Sequence, residues 1–295
     1  MAEHQHGHGH GHGHGDSHGR QPFTDDHMVE MLDLDGEVLR DHLDSVTGWI
    51  AGHLGEHPVR TIIDLGSGTG TGTFALLRRF GDARVTAVDA STGLLGHLTA
   101  RAEHLGLGDR VTTREVDLDS SALGTPPADL VWASASMHHL ADPARVLADL
   151  RTALVPGGLF AMIEFETFPR FLPDDIGLGT AGLEDRLNAI ADRQRQEHHP
   201  TVNSDWTSTL TAGGFTVREE RTFGISQTAP LSGAAQRYAR VTLSRLRQGI
   251  GDQLSADDRA TLDALLGDDG PHHLEARTDL GVRSERRAWV ASPVG

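Results

Sequence analysis

Three groups of residues in this chain have types and spacings that could do chemistry. Asp64, Gly66, Gly68 and Gly70 follow a short apolar run, so an acidic side chain and three glycines stand where a strand would hand over to a helix. A loop without side chains lets a ligand approach the backbone, and a nucleotide-like cofactor is the ligand this favours. The dinucleotide fingerprint fails, because Thr71 and Thr73 stand where it needs a further glycine or alanine. A P-loop fails as well, since it requires a lysine and the sequence has none. Asp89 comes 25 residues after Asp64, at the end of the next apolar run. From there a carboxylate could accept both ribose hydroxyls of a nucleoside lying over the glycines. His138 and His139 follow a later apolar run, and imidazole exchanges a proton near neutral pH without help.

Each group also has a plainer reading. Three close glycines can simply make a tight turn, and Asp89 can be a helix cap, although Ser91 is the better one. Asp117 can be a solvated loop carboxylate, and of the two histidines one can bond a neighbouring loop backbone while the other lies on the rim of the sheet. What decides between the readings is whether the surrounding elements bring the groups to one place.

Those elements are legible from periodicity. From Asp25 to Leu54 apolar residues recur at steps of three or four, as amphipathic helix requires, with Gly36 expected to divide it in two. Pro58 ends this region, and residues 60–66 read as a buried parallel strand stopped by glycine. Helix and strand then alternate: helix 72–80, strand 85–89, helix 92–105, strand 110–116, strand 129–133, helix 143–154 and strand 158–165. Such alternation predicts a doubly wound, mostly parallel α/β sheet. Residues 169–202 break the rhythm and read as an inserted cap or lid with a helix over 183–195. A helix at 206–212, a strand at 215–223, helices at 232–249 and 256–266 and a strand at 286–291 complete the core. The expected organisation is thus a tail over 1–20, helices over 21–58, a cofactor-binding core over 59–168, the cap, and a completion over 203–295.

Composition excludes several functions. Without cysteine there are no disulfides, thiolate metal sites or cysteine nucleophiles, and without lysine there is no Schiff-base chemistry. A net charge of −16 repels a phosphate polyanion, so no nucleic-acid partner is expected. No run is long and apolar enough to span a bilayer, and the first residues lack the features of a signal peptide, so neither a membrane nor export is expected and the location is read as cytoplasmic. Residues 4–19 carry seven histidines, mostly alternating with glycine; the segment is expected to be disordered and to bind divalent metal only incidentally. No catalytic metal site is expected.

At Asp64 to Gly70 the chain resembles the class I S-adenosylmethionine-dependent methyltransferases, and further segments sustain the likeness. Asp89 ends the second strand, Asp117 and Leu118 close the third, residues 127–143 run through Ser134 and the two histidines, and residues 154–158 introduce the fifth. The five segments span residues 60–166, which is 107 of the 295 residues. The resemblance implies a Rossmann-like methyltransferase fold of seven strands with N-terminal helices and a helical cap. It also implies S-adenosyl-L-methionine as cofactor and a small-molecule acceptor, methylated at oxygen, nitrogen or carbon, plausibly in specialised metabolism. Asp64, Gly66, Ser67, Gly68, Gly70, Asp89, Ala90, Asp117, Leu118 and Ser134 are then the expected cofactor-binding residues, with Asp117 on the adenine amino group.

Methyl transfer is an in-line displacement, so positioning and water exclusion matter most and a base matters only when the acceptor must lose a proton. His139 is the leading candidate base, followed by His138. Glu164 and Glu166 end the fifth strand, and Glu166 is grouped with the histidines as a carboxylate that could orient the imidazole. Among the aromatic residues Trp132 is expected in the core, while Phe168, Phe171 and Leu172 belong to the start of the cap, where packing or substrate contact are both open. The competing function is a non-catalytic cofactor-binding protein that handles metal or regulates through its His-Gly tail.

Overall fold

The computed structural model describes residues 25–198, 204–268 and 270–295. Seven strands form one sheet in the order β3-β2-β1-β4-β5-β7-β6. They are β1 (Thr61–Leu65), β2 (Arg84–Asp89), β3 (Val111–Glu115), β4 (Ala128–Ser134), β5 (Leu154–Arg170), β6 (Phe215–Gln227) and β7 (Val282–Pro293). The first five pair in parallel, and β7 runs antiparallel between β5 and β6. Strand order therefore reverses beside β1, where β4 joins its other edge, and an open α/β sheet offers a ligand crevice at the carboxyl ends of such strands.

Period-two alternation decides which side chain faces which layer. Ile63, Leu65, Val131 and Ala133 point to one face, where they pack with α5 (Pro143–Ala153) and α7 (Trp206–Ala212). Ile62, Leu130 and Trp132 point to the other, against α2 (Arg40–Leu54) and α3 (Thr71–Arg79). Trp132 is a core residue, as its place within a strand predicts. Local caps set the helix starts. Ser91 accepts the Leu94 N–H at the head of α4 (Thr92–His104), and Asp142 accepts that of Arg145 ahead of Pro143.

Three expectations change. The N-terminal helical region divides at Leu39, between α1 (Asp25–Val38) and α2, and Gly36 lies inside α1. Its missing side chain serves packing, because a Cβ there would stand 2.6 Å from the Thr71 hydroxyl. Strand β5 runs on to Arg170, five residues past its expected end, because β7 continues to pair with it as far as Arg283. The cap, finally, is not confined to 169–202: α6 (Leu183–His198) shares a hydrophobic cluster with α1, α8 (Gly233–Ile250) and α9 (Ala256–Leu266), built from Leu34, Phe171, Leu187, Tyr238 and Leu243 among others. Phe171 and Leu172 are fully packed in this cluster. The His-Gly tail and the metal binding considered for it lie outside the described residues.

Candidate active site

The carboxyl ends of β1 to β5 and the cap enclose a cavity of about 790 Å³, within the range of small-molecule sites. The glycine loop forms its floor. Gly66, Gly68 and Gly70 all take positive φ (63°, 53° and 88°), which L side chains rarely adopt. Their reasons differ. A Cβ on Gly66 would overlap Ser136, and one on Gly70 would meet Leu98 and Phe74 at 2.8 Å, whereas one on Gly68 would meet only Leu32, at 3.3 Å. Two of the glycines are therefore demanded by packing, and the middle one keeps a cavity-lining position bare.

Asp89 holds this loop in place. Its carboxylate accepts the Gly68 N–H and the Ser91 N–H, each at 2.9 Å, one on each oxygen. Every carboxylate oxygen has a second lone pair, so the half-buried group keeps acceptor capacity toward the cavity it lines. Asp64 lies deeper, at 2% exposure, and accepts the Thr73 hydroxyl at 2.6 Å. Burial pushes its carboxyl up to about 7 and the Asp89 charge adds to this, against the Thr73 hydrogen bond. Its visible task is to tie the loop to the start of α3. Asp117 is exposed and accepts the Asp119 N–H and the Ser120 hydroxyl, and these bonds, the backbone one first, hold it below the usual carboxylate range. Ser67, Ala90, Leu118 and Ser134 also border the cavity, so all ten expected cofactor residues except Gly70 line it.

S-adenosylmethionine fits this half of the cavity on the evidence of its unfilled valences. The Ser67 and Thr69 hydroxyls and the Trp132 indole N–H are buried without a hydrogen-bond partner, and all three residues line the cavity beside the loop. Buried polar atoms are seldom left so in a native protein unless a ligand or water completes them.

The two histidines occupy a short 3-10 turn, Met137–His139, after β4. The approach is tight: Ala135 has φ 53°, a left-handed conformation costly for a residue with a Cβ, and the Ser136 hydroxyl donates to the Leu65 carbonyl at 2.9 Å. His138 is buried, and its Nδ1 lies 2.6 Å from Glu164 Oε2. The other oxygen of Glu164 accepts the Met137 N–H at 3.0 Å, so one buried carboxylate fixes both the turn and the ring. His139 is exposed, lines the cavity, and sits with its ring centroid 4.1 Å from that of His138.

Glu166 does not join them. It is exposed and paired with Arg287 at 2.6 Å, because the β5–β7 register shifts between Phe165 and Thr167, and the carboxylate beside the histidines is Glu164, paired with His138 and not His139. Several cavity residues carried no sequence signal: Asp35 and His42 from the N-terminal helices, Arg195 from α6, Tyr238 and Arg245 from α8, and Arg286 from β7. The Tyr238 hydroxyl donates to Asp35 Oδ1 at 2.6 Å and Arg286 donates to the same oxygen at 3.2 Å. Burial, and secondarily the Arg286 charge, lowers His42 to about 4, so that ring is neutral at physiological pH. Phe168, undecided between packing and substrate contact, lines the cavity and stacks on Phe165 with centroids 4.4 Å apart. Among the described residues no group of three or more histidine, aspartate or glutamate side chains is placed to hold a metal ion, and no helix is long and apolar enough to cross a membrane.

Comparison with known proteins agrees with this geometry. Residues 62–158 match the family profile described as a methyltransferase domain. A trans-aconitate 2-methyltransferase of Azoarcus sp. is 37% identical over 102 residues, covering 35% of this chain and 38% of that protein. One from Methylobacterium nodulans is 26% identical over 226 residues, covering 74% of this chain and 82% of that one. The chain spans only 26% to 38% of the length of the first four curated relatives it matches. In fold, a candidate methyltransferase of Bacillus halodurans C-125 superposes with a TM-score of 0.52 at 16% identity, covering 84% of this chain and 98% of the other. The strand order, the glycine loop and the matched segment agree in placing a methyltransferase domain over residues 62–158.

Proposed function

We propose that the protein transfers a methyl group from S-adenosylmethionine to a small-molecule acceptor. One observation carries this reading: a single cavity joins the Asp89-braced glycine loop to the exposed face of His139. Curated relatives named for trans-aconitate, dimethylglycine and malonyl-[acyl-carrier protein] methylation support a small acceptor. When bound, S-adenosylmethionine supplies an electrophilic methyl group on a sulfonium sulfur. Asp89 would hold its ribose hydroxyls, Ser67 and the loop backbone its amino-acid portion, and Asp117 with Leu118 its adenine.

The chain's own residues do the rest. His139 would accept the acceptor's proton at the imidazole nitrogen facing the cavity. Glu164, through His138, is a positioning residue: it locks the turn and keeps the neighbouring ring in one orientation, so that His139 starts from a fixed backbone. The cap helices and α1 wall one side of the cavity, and water that a bound acceptor displaces there would strengthen the polar contacts inside. Calorimetry with S-adenosylhomocysteine tests the reading at its base. Micromolar or tighter binding to the purified protein is expected, and a folded protein that does not bind at millimolar ligand removes it.

A further inference from the structure

On the cap side of the cavity a carboxylate is held with one of its oxygens unused. Asp35 of α1 accepts the Tyr238 hydroxyl of α8 at 2.6 Å and an Arg286 N–H of β7 at 3.2 Å, and both bonds end on Oδ1. Oδ2 has no hydrogen-bond partner among the described residues, and Asp35 is partly exposed where it lines the cavity. Two donors from different elements therefore fix the carboxylate and leave its second oxygen as an acceptor of set direction. Arg286 balances the charge, and its guanidinium lies 3.6 Å over the Phe165 ring. Burial, and then the Asp35 charge, hold the Tyr238 hydroxyl well above the usual phenol range, so it remains a neutral donor.

A second polar group stands beside this one. Thr242 follows Tyr238 by one turn on the same face of α8, and both line the cavity. A threonine inside a helix commonly returns its hydroxyl to the carbonyl four residues earlier, as Thr47, Thr99 and Thr211 do in this protein. Thr242 does not: its hydroxyl is buried without a hydrogen-bond partner. Such a group costs stability unless something in the cavity completes it. Met31, Leu32, Phe165 and Phe168 supply apolar wall around the pair, with the two rings stacked 4.4 Å apart.

The pairing of charges decides what suits this corner. A ligand carboxylate would meet Asp35 Oδ2 as a like charge, and an ammonium would share Asp35 with the Arg286 cation. The other cap arginines are engaged elsewhere, Arg195 with Asp192 and Arg245 with the Met31 sulfur. A hydroxyl meets both groups without charge, since its proton can go to Oδ2 while its lone pair takes the Thr242 proton. We propose that the acceptor is an uncharged hydroxyl compound with an apolar body, its hydroxyl bound between Asp35 Oδ2 and the Thr242 hydroxyl and its body against Phe165 and Phe168. Asp35 and Thr242 thus determine specificity, and Tyr238 and Arg286 are positioning residues for Asp35. The inference rests on the methyl-transfer reading of the same cavity and narrows its acceptor class.

The test uses the full chain saturated with S-adenosylhomocysteine and titrated with benzyl alcohol and naphthylmethanol, and with the methyl ether, primary amine and carboxylate of each ring system. At least one alcohol should bind roughly ten- to a hundredfold tighter than its ether, the range of a hydrogen bond to a charged acceptor, and tighter than its amine or acid. In Asp35→Asn the amide oxygen has to face Tyr238 and Arg286, which turns the NH2 group to the ligand, so the preference for alcohol over ether should disappear. Thr242→Val should weaken the alcohol severalfold, and Thr242→Ser should restore it. Because the Thr242 hydroxyl has no partner to lose, the valine variant should melt no lower than wild type, and S-adenosylhomocysteine affinity should stay unchanged in all three. Alcohol and ether binding alike, no binding by either alcohol, an amine or acid binding best, or a preference that survives Asp35→Asn each overturns the proposal. Alcohol affinity untouched by Thr242→Val does so too, and decides the matter if Asp35→Asn fails to fold. Should S-adenosylhomocysteine itself fail to bind wild-type protein, the fault lies with the methyl-transfer reading, and the two failures are thereby told apart.

Discussion

The sheet side and the cap side of one cavity are built by opposite strategies. The sheet side comes from consecutive strand ends between Asp64 and His139, each followed by a short turn that the parallel topology delivers to the same edge. The cap side comes from α1, the end of β5, α6, α8 and β7, and its central contacts join residues 203 and 251 positions apart in sequence, Asp35 to Tyr238 and Asp35 to Arg286. The first side holds backbone N–H groups and carboxylates, and the second aromatic rings and guanidinium groups. A cofactor common to many reactions can be met by a local and repeatable device, whereas an acceptor has to be met by whatever the long-range packing of one particular chain brings together.

Perturbing each side should affect a different quantity. The largest effect is expected where the sides meet: His139→Ala should lower the single-turnover rate by about 10²- to 10⁴-fold, with S-adenosylhomocysteine affinity nearly intact. Glu164→Gln should lower it less, since it leaves the His138 ring without its carboxylate. A rate unchanged in both would mean that acceptors are methylated by positioning alone.

On the sheet side, Asp89→Ala should weaken S-adenosylhomocysteine binding by roughly ten- to a hundredfold, because it removes both the proposed ribose contact and the acceptor for the Gly68 and Ser91 N–H groups. Calorimetry on a folded variant checks this, and full affinity would take Asp89 out of the site.

Each side also buries one carboxyl group that burial drives up to about 7: Asp64 under the glycine loop, and Glu184 at the head of α6, which accepts the Phe171 and Leu172 N–H groups. A carboxyl whose folded value exceeds its unfolded value favours folding below the unfolded value and loses that contribution as pH rises toward the folded one. Apoprotein stability should therefore fall between about pH 4 and pH 7, by up to roughly 1.4 kcal/mol per pH unit for each group. Asp64→Asn should remove one share of the slope in melts across this range, and a pH-independent melting temperature in wild type would contradict both assignments. Bound S-adenosylhomocysteine should damp the Asp64 share only.

The smallest effect is expected from deleting residues 1–19, which should leave turnover per folded molecule unchanged, with or without a chelator. A truncated protein that folds and binds S-adenosylhomocysteine but loses turnover would give the histidine tail a part in the site.

What could be read without coordinates follows the same division. Glycines at 66, 68 and 70, Asp89 at a strand end and the alternation of strands and helices are local signals, and each maps onto backbone conformation or strand order directly. His139 lines the cavity and His138 is buried, whereas Glu166 stands away from both, because a register shift in β5 is invisible to a period-two pattern. Gly36 misled for a related reason: a glycine in a helical stretch can mark a break or a close contact, and only the approach of Thr71 distinguishes the two.

The sequence by itself determined the layered sheet, the loop that faces the cofactor and the edge at which chemistry can occur, since hydrophobic period and glycine conformation act over a few residues. Only the tertiary structure decided which carboxylate serves the histidine pair, and that Arg195, Arg245, Arg286 and Asp35 surround one space. Those contacts depend on the summed packing of distant elements, and no short-range pattern records where a side chain ends after five such elements have closed on one another.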